Sequence, residues 1–431
     1  MKFHSTRGDA GQVSLSAAIA AGLATDGGLF VPNDLPRRAS DEFDFAASLP
    51  ATGVRLLAPF FASDALAPQL DAICTEAFTF PAPLRALATP HDHVLELFHG
   101  PTAAFKDFGA RFLAACMRRL PRDTSAPLTI LVATSGDTGA AVGAAFAGVQ
   151  GFRVVILYPD GRVSPRQAHQ LGCFGGNITA LRVGGSFDDC QRMVKQAFAD
   201  AELRNRVPLS SANSISLGRL LPQMAYYAHS ALAHWQARKS PLNFVVPTGN
   251  LGNAFAGILA RACGLPIGQI VLACNANRVL AEFFDGADYA PQASVATLAN
   301  AMDVGAPSNF ERLRWFYPDA AVLRREFRAF SVSDDEIRST IRQRHERFGD
   351  TFCPHTATAV HVLERLRSAG QDGDWAIVAT AHPAKFDSVI EPLVGRAVEV
   401  PEPLAALLAR PTNAEPMPPA YSALRSRLLA D

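Results

Sequence analysis

The sequence predicts an α/β fold of parallel sheets covered on both faces, preceded by a helical N-terminal segment. Three observations carry that expectation. Apolar β-type runs recur as "LTILVA" (128–133), "RVVILY" (153–158), "LNFVVP" (242–247), "QIVLAC" (269–274) and "DWAIVAT" (374–380). They are continuous in Val, Ile and Leu rather than alternating, as strands buried on both faces are. The first and third run into glycine-rich loops and then Ala-rich helical stretches, which is the grammar of a strand–helix repeat. At 431 residues the chain also exceeds one core, so about two domains with appendages are expected.

Taken in order, residues 1–85 read as short helices joined by Pro- and Gly-containing turns such as "VPNDLP" and "FPAPL", the latter a boundary. Within them "VSLSAAIAAGLA" (13–24) mimics a weak secretory core, but no small-residue cleavage site follows and a short buried helix is expected. From about residue 93 the strand–helix alternation begins. Between 276 and 350 lies a more polar, aromatic and charged insert. The proline-rich C-terminus is expected to wrap the surface before a last helix. "AAVGAAFAGV" (140–149) is too short to span a bilayer.

Composition excludes several functions. Formal net charge is zero, with 40 acidic and 40 basic residues and no long like-charge run. A nucleic-acid partner is therefore not expected, because phosphate backbones select basic surfaces. The seven cysteines are scattered and form no CxxC pair, which argues against a disulfide framework or zinc site and for a reducing, cytoplasmic compartment.

Lysine usage is informative. Only five of the 40 basic residues are lysine: Lys2, Lys106, Lys195, Lys239 and Lys385. Lys106 sits in "FHGPTAAFKDFGARF", flanked by Phe105 and Phe108, which are expected to desolvate it. A desolvated lysine amine becomes partly neutral and can form imines; an arginine guanidinium cannot. Lys195 suits an amphipathic helix surface, and Lys385 remains a rival because it also follows a strand-end loop.

In open α/β sheets, ligands bind where loops leave the carboxyl ends of strands. "TGNLGN" (248–253) joins a strand to a helix. Gly249 and Gly252 permit close backbone approach, and the helix start offers free amides to an anion. No lysine follows, so it is not a P-loop, and the Asn250 and Asn253 side chains would assist. "TSGDTG" (134–139) offers Ser135 and Thr138 to a second anion, with Asp137 between them. In "VATAHPAKF", Thr380 ends a strand where its hydroxyl could meet a ring nitrogen. Each loop alone is equally read as a capped, ligand-free turn. A lysine, a phosphate cradle and a hydroxyl for a pyridine nitrogen together point to pyridoxal phosphate.

Nearly end to end, the chain resembles the long-chain bacterial and fungal threonine synthases, within the fold type II pyridoxal-phosphate enzymes. "ELFHGPTAAFKDFG" and "TSGDTGAA" in that order are highly specific. "DGGLFVPNDLP", "SANSISLGRLLPQMAYY", "VPTGNLGNAFAG", "NAMDVGAPSNFER" and "TAHPAKF" extend the match. The resemblance implies two doubly wound αβα domains of tryptophan-synthase-β-like type. It divides the chain into an N-terminal domain (1–85), a catalytic core (86–385) and a C-terminal extension (386–431). It implies Lys106 as Schiff base and general acid/base, and Gly249, Asn250, Leu251, Gly252 and Asn253 around the cofactor phosphate. Thr380 would face the ring nitrogen. Ser135, Asp137, Thr138, Arg111, Asn213 and Lys385 are expected at the substrate, with Asp137 near the cofactor's phenolic oxygen or a substrate donor. Arg162, Arg166 and Arg219 are further candidates for the substrate phosphate. Leu251 stands where Phe is common but offers the same backbone N–H. Ser216 stands where Asn is common, which removes an amide.

The implied reaction converts O-phospho-L-homoserine and water to L-threonine and phosphate, in a monomer or homodimer with no metal and no membrane partner. The alternatives are a serine/threonine dehydratase or phospho-amino-acid phospholyase on the same fold, and a non-catalytic homologue. A dinucleotide-dependent dehydrogenase is weakened by the missing GxGxxG.

Overall fold

The computed structural model describes residues 1–8, 11–121 and 126–430. Among the described residues thirteen strands form three sheets. β1 (Phe3–Ser5) and β2 (Phe30–Pro32) make a small antiparallel pair. The larger sheet combines β3 (Leu84–Ala86), β4 (Asp92–Glu96), β9 (Leu242–Pro247), β10 (Ile267–Cys274), β11 (Arg328–Ser331) and β12 (Trp375–Ala379). Its order is β11-β10-β9-β12-β4-β3, and only β3 runs antiparallel to its neighbour. The smaller sheet contains β5 (Leu128–Ala133), β6 (Phe152–Pro159), β7 (Ile178–Val183), β8 (Leu209–Ser211) and β13 (Ala414–Met417). Its order is β13-β7-β6-β5-β8, all parallel.

The expected runs became these strands because they are buried on both sides. Residues 130–133 of β5, 154–159 of β6 and all of β12 are buried. Three segments go beyond the sequence reading. The N-terminal region holds β1 and β2 as well as helices. The polar insert contributes β11 to the larger sheet, and the C-terminal extension contributes β13 to the smaller one. These strands are three or four residues long, too short for a periodic signal. "VSLSAAIAAGLA" folds as the short helix Leu15–Ala21, with Leu15, Ala18 and Ile19 buried.

The N-terminal helices share the main core. Phe78 stacks on Phe112 and Phe61 meets it edge-on, and Phe78 and Phe80 pack against Phe108, on the helix Lys106–Arg119. Fully burying such rings contributes roughly 1.5–3 kcal/mol each, so the helix carrying Lys106 is anchored from behind. Among the described residues no helix is long and apolar enough to cross a membrane. All seven cysteines are free and buried.

Candidate active site

One pocket lies at the carboxyl ends of β5, from the smaller sheet, and of β9 and β12, from the larger one. Lys106, the first residue of its helix, lines it. The chain reaches that position through Ala103, in left-handed backbone at φ 53°. Phe105 N donates to Thr380 O at 2.8 Å, and His382 N donates to Ala103 O at 3.0 Å. This stitching fixes Lys106 relative to Thr380. Asp107, fully buried, accepts from Thr102 N at 2.9 Å and from the Thr102 hydroxyl at 2.7 Å. Gly100 packs so closely on Asp107 that a Cβ there would lie 2.5 Å from its Oδ2.

The Lys106 amine is pushed down to about 8. Desolvation is the main cause; Asp137 opposes it, while the charges of Arg219 and Lys385 reinforce it. Phe105 lies beside the amine, 5.7 Å from ring centroid to Nζ. Phe108 does not flank it as expected; its ring joins Phe78, Phe80 and Tyr226 in the core.

The glycine loop follows β9 and opens the helix Gly252–Ala262. Leu251 takes left-handed backbone at φ 63°. A Cβ on Gly249 would lie 2.7 Å from Met302 Cα, a backbone atom that cannot yield, so glycine is required there. The amides of residues 249–253 have no protein acceptor among the described residues. Asn253 Oδ1 accepts from Tyr226 at 2.6 Å and Tyr227 at 2.9 Å, which leaves its buried Nδ2 without a partner. Buried donors without partners are costly unless a ligand satisfies them. Free amides at a helix start beside an orphaned amide nitrogen suit a phosphate. With a reachable lysine and the Thr380 hydroxyl, which has no partner among the described residues, this donor set fits pyridoxal phosphate. Asn250 is occupied differently: its Nδ2 donates to Ser214 Oγ at 2.5 Å and its Oδ1 accepts from Ser308 N at 2.5 Å. It shapes the loop with its side chain.

The loop after β5 places Ser135 and Thr138 on the pocket wall, their hydroxyls unpaired among the described residues. Thr134 holds the turn: its Oγ1 accepts from Gly136 N at 3.0 Å and Gly139 N at 3.1 Å. Gly136 sits at φ 134°, which only glycine adopts readily. Asn213 also lines the pocket, and its buried Oδ1 has no partner.

Other sequence expectations require correction. Arg111 turns away from the pocket and donates to Ala77 O at 3.0 Å and Glu76 O at 2.7 Å, tying its helix to the N-terminal region. It lies beyond the first turn of the helix and points backward. Lys385 does not line the pocket. Fully buried, its Nζ donates to Asp137 Oδ1 at 2.8 Å and Thr102 O at 2.7 Å. Asp137 is thereby committed to Lys385, and to Gln167 Nε2 at 2.9 Å. Burial would raise its carboxyl, but Lys385, then Lys106 and His355, hold it well below the carboxylate range. Arg162 is exposed, and Arg166 pairs with Asp387 at 3.1 Å. Of the arginine candidates only Arg219 faces the pocket. It is 1% exposed, donates to Ala212 O at 2.8 Å and forms no ion pair among the described residues, while its Nε is unsatisfied.

Sequence reasoning missed His355, Ser214, Gln223 and Met302 on the pocket wall. His355 Nε2 accepts from Ala301 N at 3.0 Å, and burial pushes its imidazole down to about 4, so it is neutral. None of these residues belongs to a loop whose composition marks it as ligand-binding.

The comparisons agree with this geometry. The profile of pyridoxal-phosphate dependent enzymes matches residues 84–383, the threonine synthase N-terminus profile 2–78, and the threonine synthase C-terminal profile 356–427. The threonine synthase of Serratia marcescens is 39% identical, the match covering 100% of this chain and 99% of that protein. The crystal structure of threonine synthase from Escherichia coli superposes with a TM-score of 0.91 at 38% identity, covering 100% of both chains. That of PLP-bound threonine synthase from Brucella melitensis gives 0.89 at 34% identity, covering 100% of this chain and 99% of that one. With a lysine, a phosphate-type amide cradle and a free hydroxyl converging in the fold of these enzymes, the chain belongs to the threonine synthase family of pyridoxal-phosphate-dependent enzymes.

Proposed function

We propose that Lys106 is the base of a threonine synthase reaction, in which O-phospho-L-homoserine and water give L-threonine and phosphate. The observation that carries this reading is the convergence on one pocket of Lys106, its amine lowered to about 8, with the unpaired amides of residues 249–253. Lys106 would hold the cofactor through Nζ, Gly249–Asn253 its phosphate, and Thr380 its ring nitrogen. The bound cofactor supplies an electron sink for negative charge developing on the substrate carbons.

The chain's own residues do the rest. Ser135 and Thr138 offer free hydroxyls to the substrate carboxylate, and Asn213 Oδ1 an acceptor to its donors. Arg219 is a pocket cation without a carboxylate partner among the described residues, which suits the phosphate of the substrate. With its amine free, Lys106 would be placed to take the α proton. An amine near pH 8 exchanges protons efficiently in both directions near neutrality, so it can also return one. The neutral His355 leaves Asp137 as the nearby carboxylate, already matched by Lys385, so the local charge balance does not lock Lys106 in its cationic form. Seven buried thiols support a reducing, cytoplasmic setting.

The test is borohydride reduction of the holoenzyme followed by peptide mapping. The label is expected on the peptide containing Lys106, with threonine and phosphate formed from O-phosphohomoserine in equal amounts. A Lys106→Ala protein that still fixes the label, on Lys385 for instance, would refute the assignment. Formation of a keto acid in place of threonine would favour the dehydratase reading.

A further inference from the structure

The glycine loop is held from behind by residues that do not line the pocket. Asn309 is fully buried. Its Nδ2 donates to Asn250 O at 3.0 Å and, more weakly, to Ser214 O at 3.4 Å. Its Oδ1 accepts from Arg312 Nη1 at 2.6 Å. With an arginine on one side and two carbonyls on the other, the amide has a single consistent orientation.

Arg312 is itself fully buried and forms no ion pair among the described residues. Its other donors go to Phe30 O in β2, at 3.0 Å, and to Ile215 O in the segment that also carries Asn213 and Ser214. A buried cation spent wholly on carbonyls and one amide is an expensive arrangement. Packing alone does not require it, because an apolar side chain would fill the same volume.

What the arrangement controls is one peptide plane. In a trans peptide the Asn250 carbonyl and the Leu251 N–H point in opposite directions. Fixing the carbonyl on Asn309 therefore fixes the Leu251 N–H on the opposite side, and that N–H has no protein acceptor. The same bond opposes the tendency of Leu251 to leave its left-handed backbone, which side chains other than Gly, Asn and Asp avoid. We propose that Asn309, braced by Arg312, is a positioning residue that holds the Leu251 amide ready for the cofactor phosphate. The inference rests on reading the glycine loop as the phosphate cradle.

The test is equilibrium dialysis of the holoenzyme against graded pyridoxal phosphate and, in parallel, against pyridoxal, which lacks the phosphate. Asn309→Asp keeps the acceptor for Arg312 but turns an oxygen toward the Asn250 carbonyl. It is expected to weaken retention of pyridoxal phosphate about tenfold or more and to leave pyridoxal binding unchanged. Adding Leu251→Gly, which removes the left-handed penalty, is expected to restore most of the loss. Gly249→Ala distinguishes the two levels of the argument. If it weakens pyridoxal phosphate while Asn309→Asp does not, the cradle stands and the role of Asn309 is refuted. If neither variant matters, the cradle reading fails and takes this inference with it. Equal loss of both ligands in Asn309→Asp, with no recovery on adding Leu251→Gly, would mean general disruption and would also overturn the proposal. Circular dichroism of each variant identifies any that fail to fold; in that case Asn309→Ala, which deletes the donor without adding an oxygen, replaces Asn309→Asp under the same criteria.

Discussion

Replacing Lys385 by Met removes the cation from a fully buried pair and leaves a side chain of similar reach. Asp137 then keeps Gln167 as its remaining donor in the protein, and a carboxylate that is itself buried loses its counter-charge. Removing one partner of a buried pair costs about 3–5 kcal/mol, most of it the penalty of the charge left behind. The double variant Lys385→Met/Asp137→Asn removes both charges and preserves an acceptor for Gln167, so its loss should fall to about 1 kcal/mol, a typical lost hydrogen bond. Urea unfolding of the holoenzyme followed by circular dichroism measures both. The signature is a double variant more stable than the single one. Equal losses would refute the claim that the uncompensated Asp137 charge dominates. The pH dependence follows with a defined sign. The folded carboxyl lies below its ordinary value of 3.8, so the stability from the pair is complete above that pH and is lost as pH falls below it. In Lys385→Met the deficit relative to the parent should shrink on acidification, as Asp137 is protonated.

Lys106 gives a window at the other end of the scale. Its folded amine, at about 8, lies below the ordinary 10.5, so between those values this group binds more protons in the unfolded chain and contributes stability that rises with pH. In cofactor-free protein, Lys106→Met should remove that contribution, so its stability should rise less, or fall more, with pH across the window than the parent's; equal slopes in the two proteins would refute the assignment. Arg219→Gln should lower kcat/KM for O-phosphohomoserine by about 10- to 100-fold, the loss of one charge-assisted bond, mainly through KM. Its melting temperature should be unchanged or higher, since a buried cation without an acid partner is removed; an unchanged kcat/KM would exclude it from the phosphate site.

Much of this was legible in the sequence because it depends on local chemistry. Continuous apolar runs specify strands buried on both faces, and loops at their ends specify where a ligand can sit. Gly136 marks backbone that other residues do not readily adopt, and Gly249 a close approach that a side chain would block. The rarity of lysine singled out Lys106, since imine chemistry is denied to arginine. What sequence could not decide is which side chains turn toward the pocket. Lys385 and Arg111 both flank matched motifs, yet one neutralises Asp137 from behind and the other ties its helix to Glu76 and Ala77. Arg219 looked no different from them and is the one of the three whose side chain lines the pocket. His355 was invisible, and although Asn309 and Arg312 lie in the matched "NAMDVGAPSNFER", their contact with the glycine loop was not readable because it joins segments distant in sequence. The short strands β11 and β13 form only because a sheet edge is already present to pair with them. Charge, backbone freedom and reactivity belong to residues and can be read along the chain. Burial, direction and partnership belong to the folded molecule, because they depend on contacts between segments tens to hundreds of residues apart.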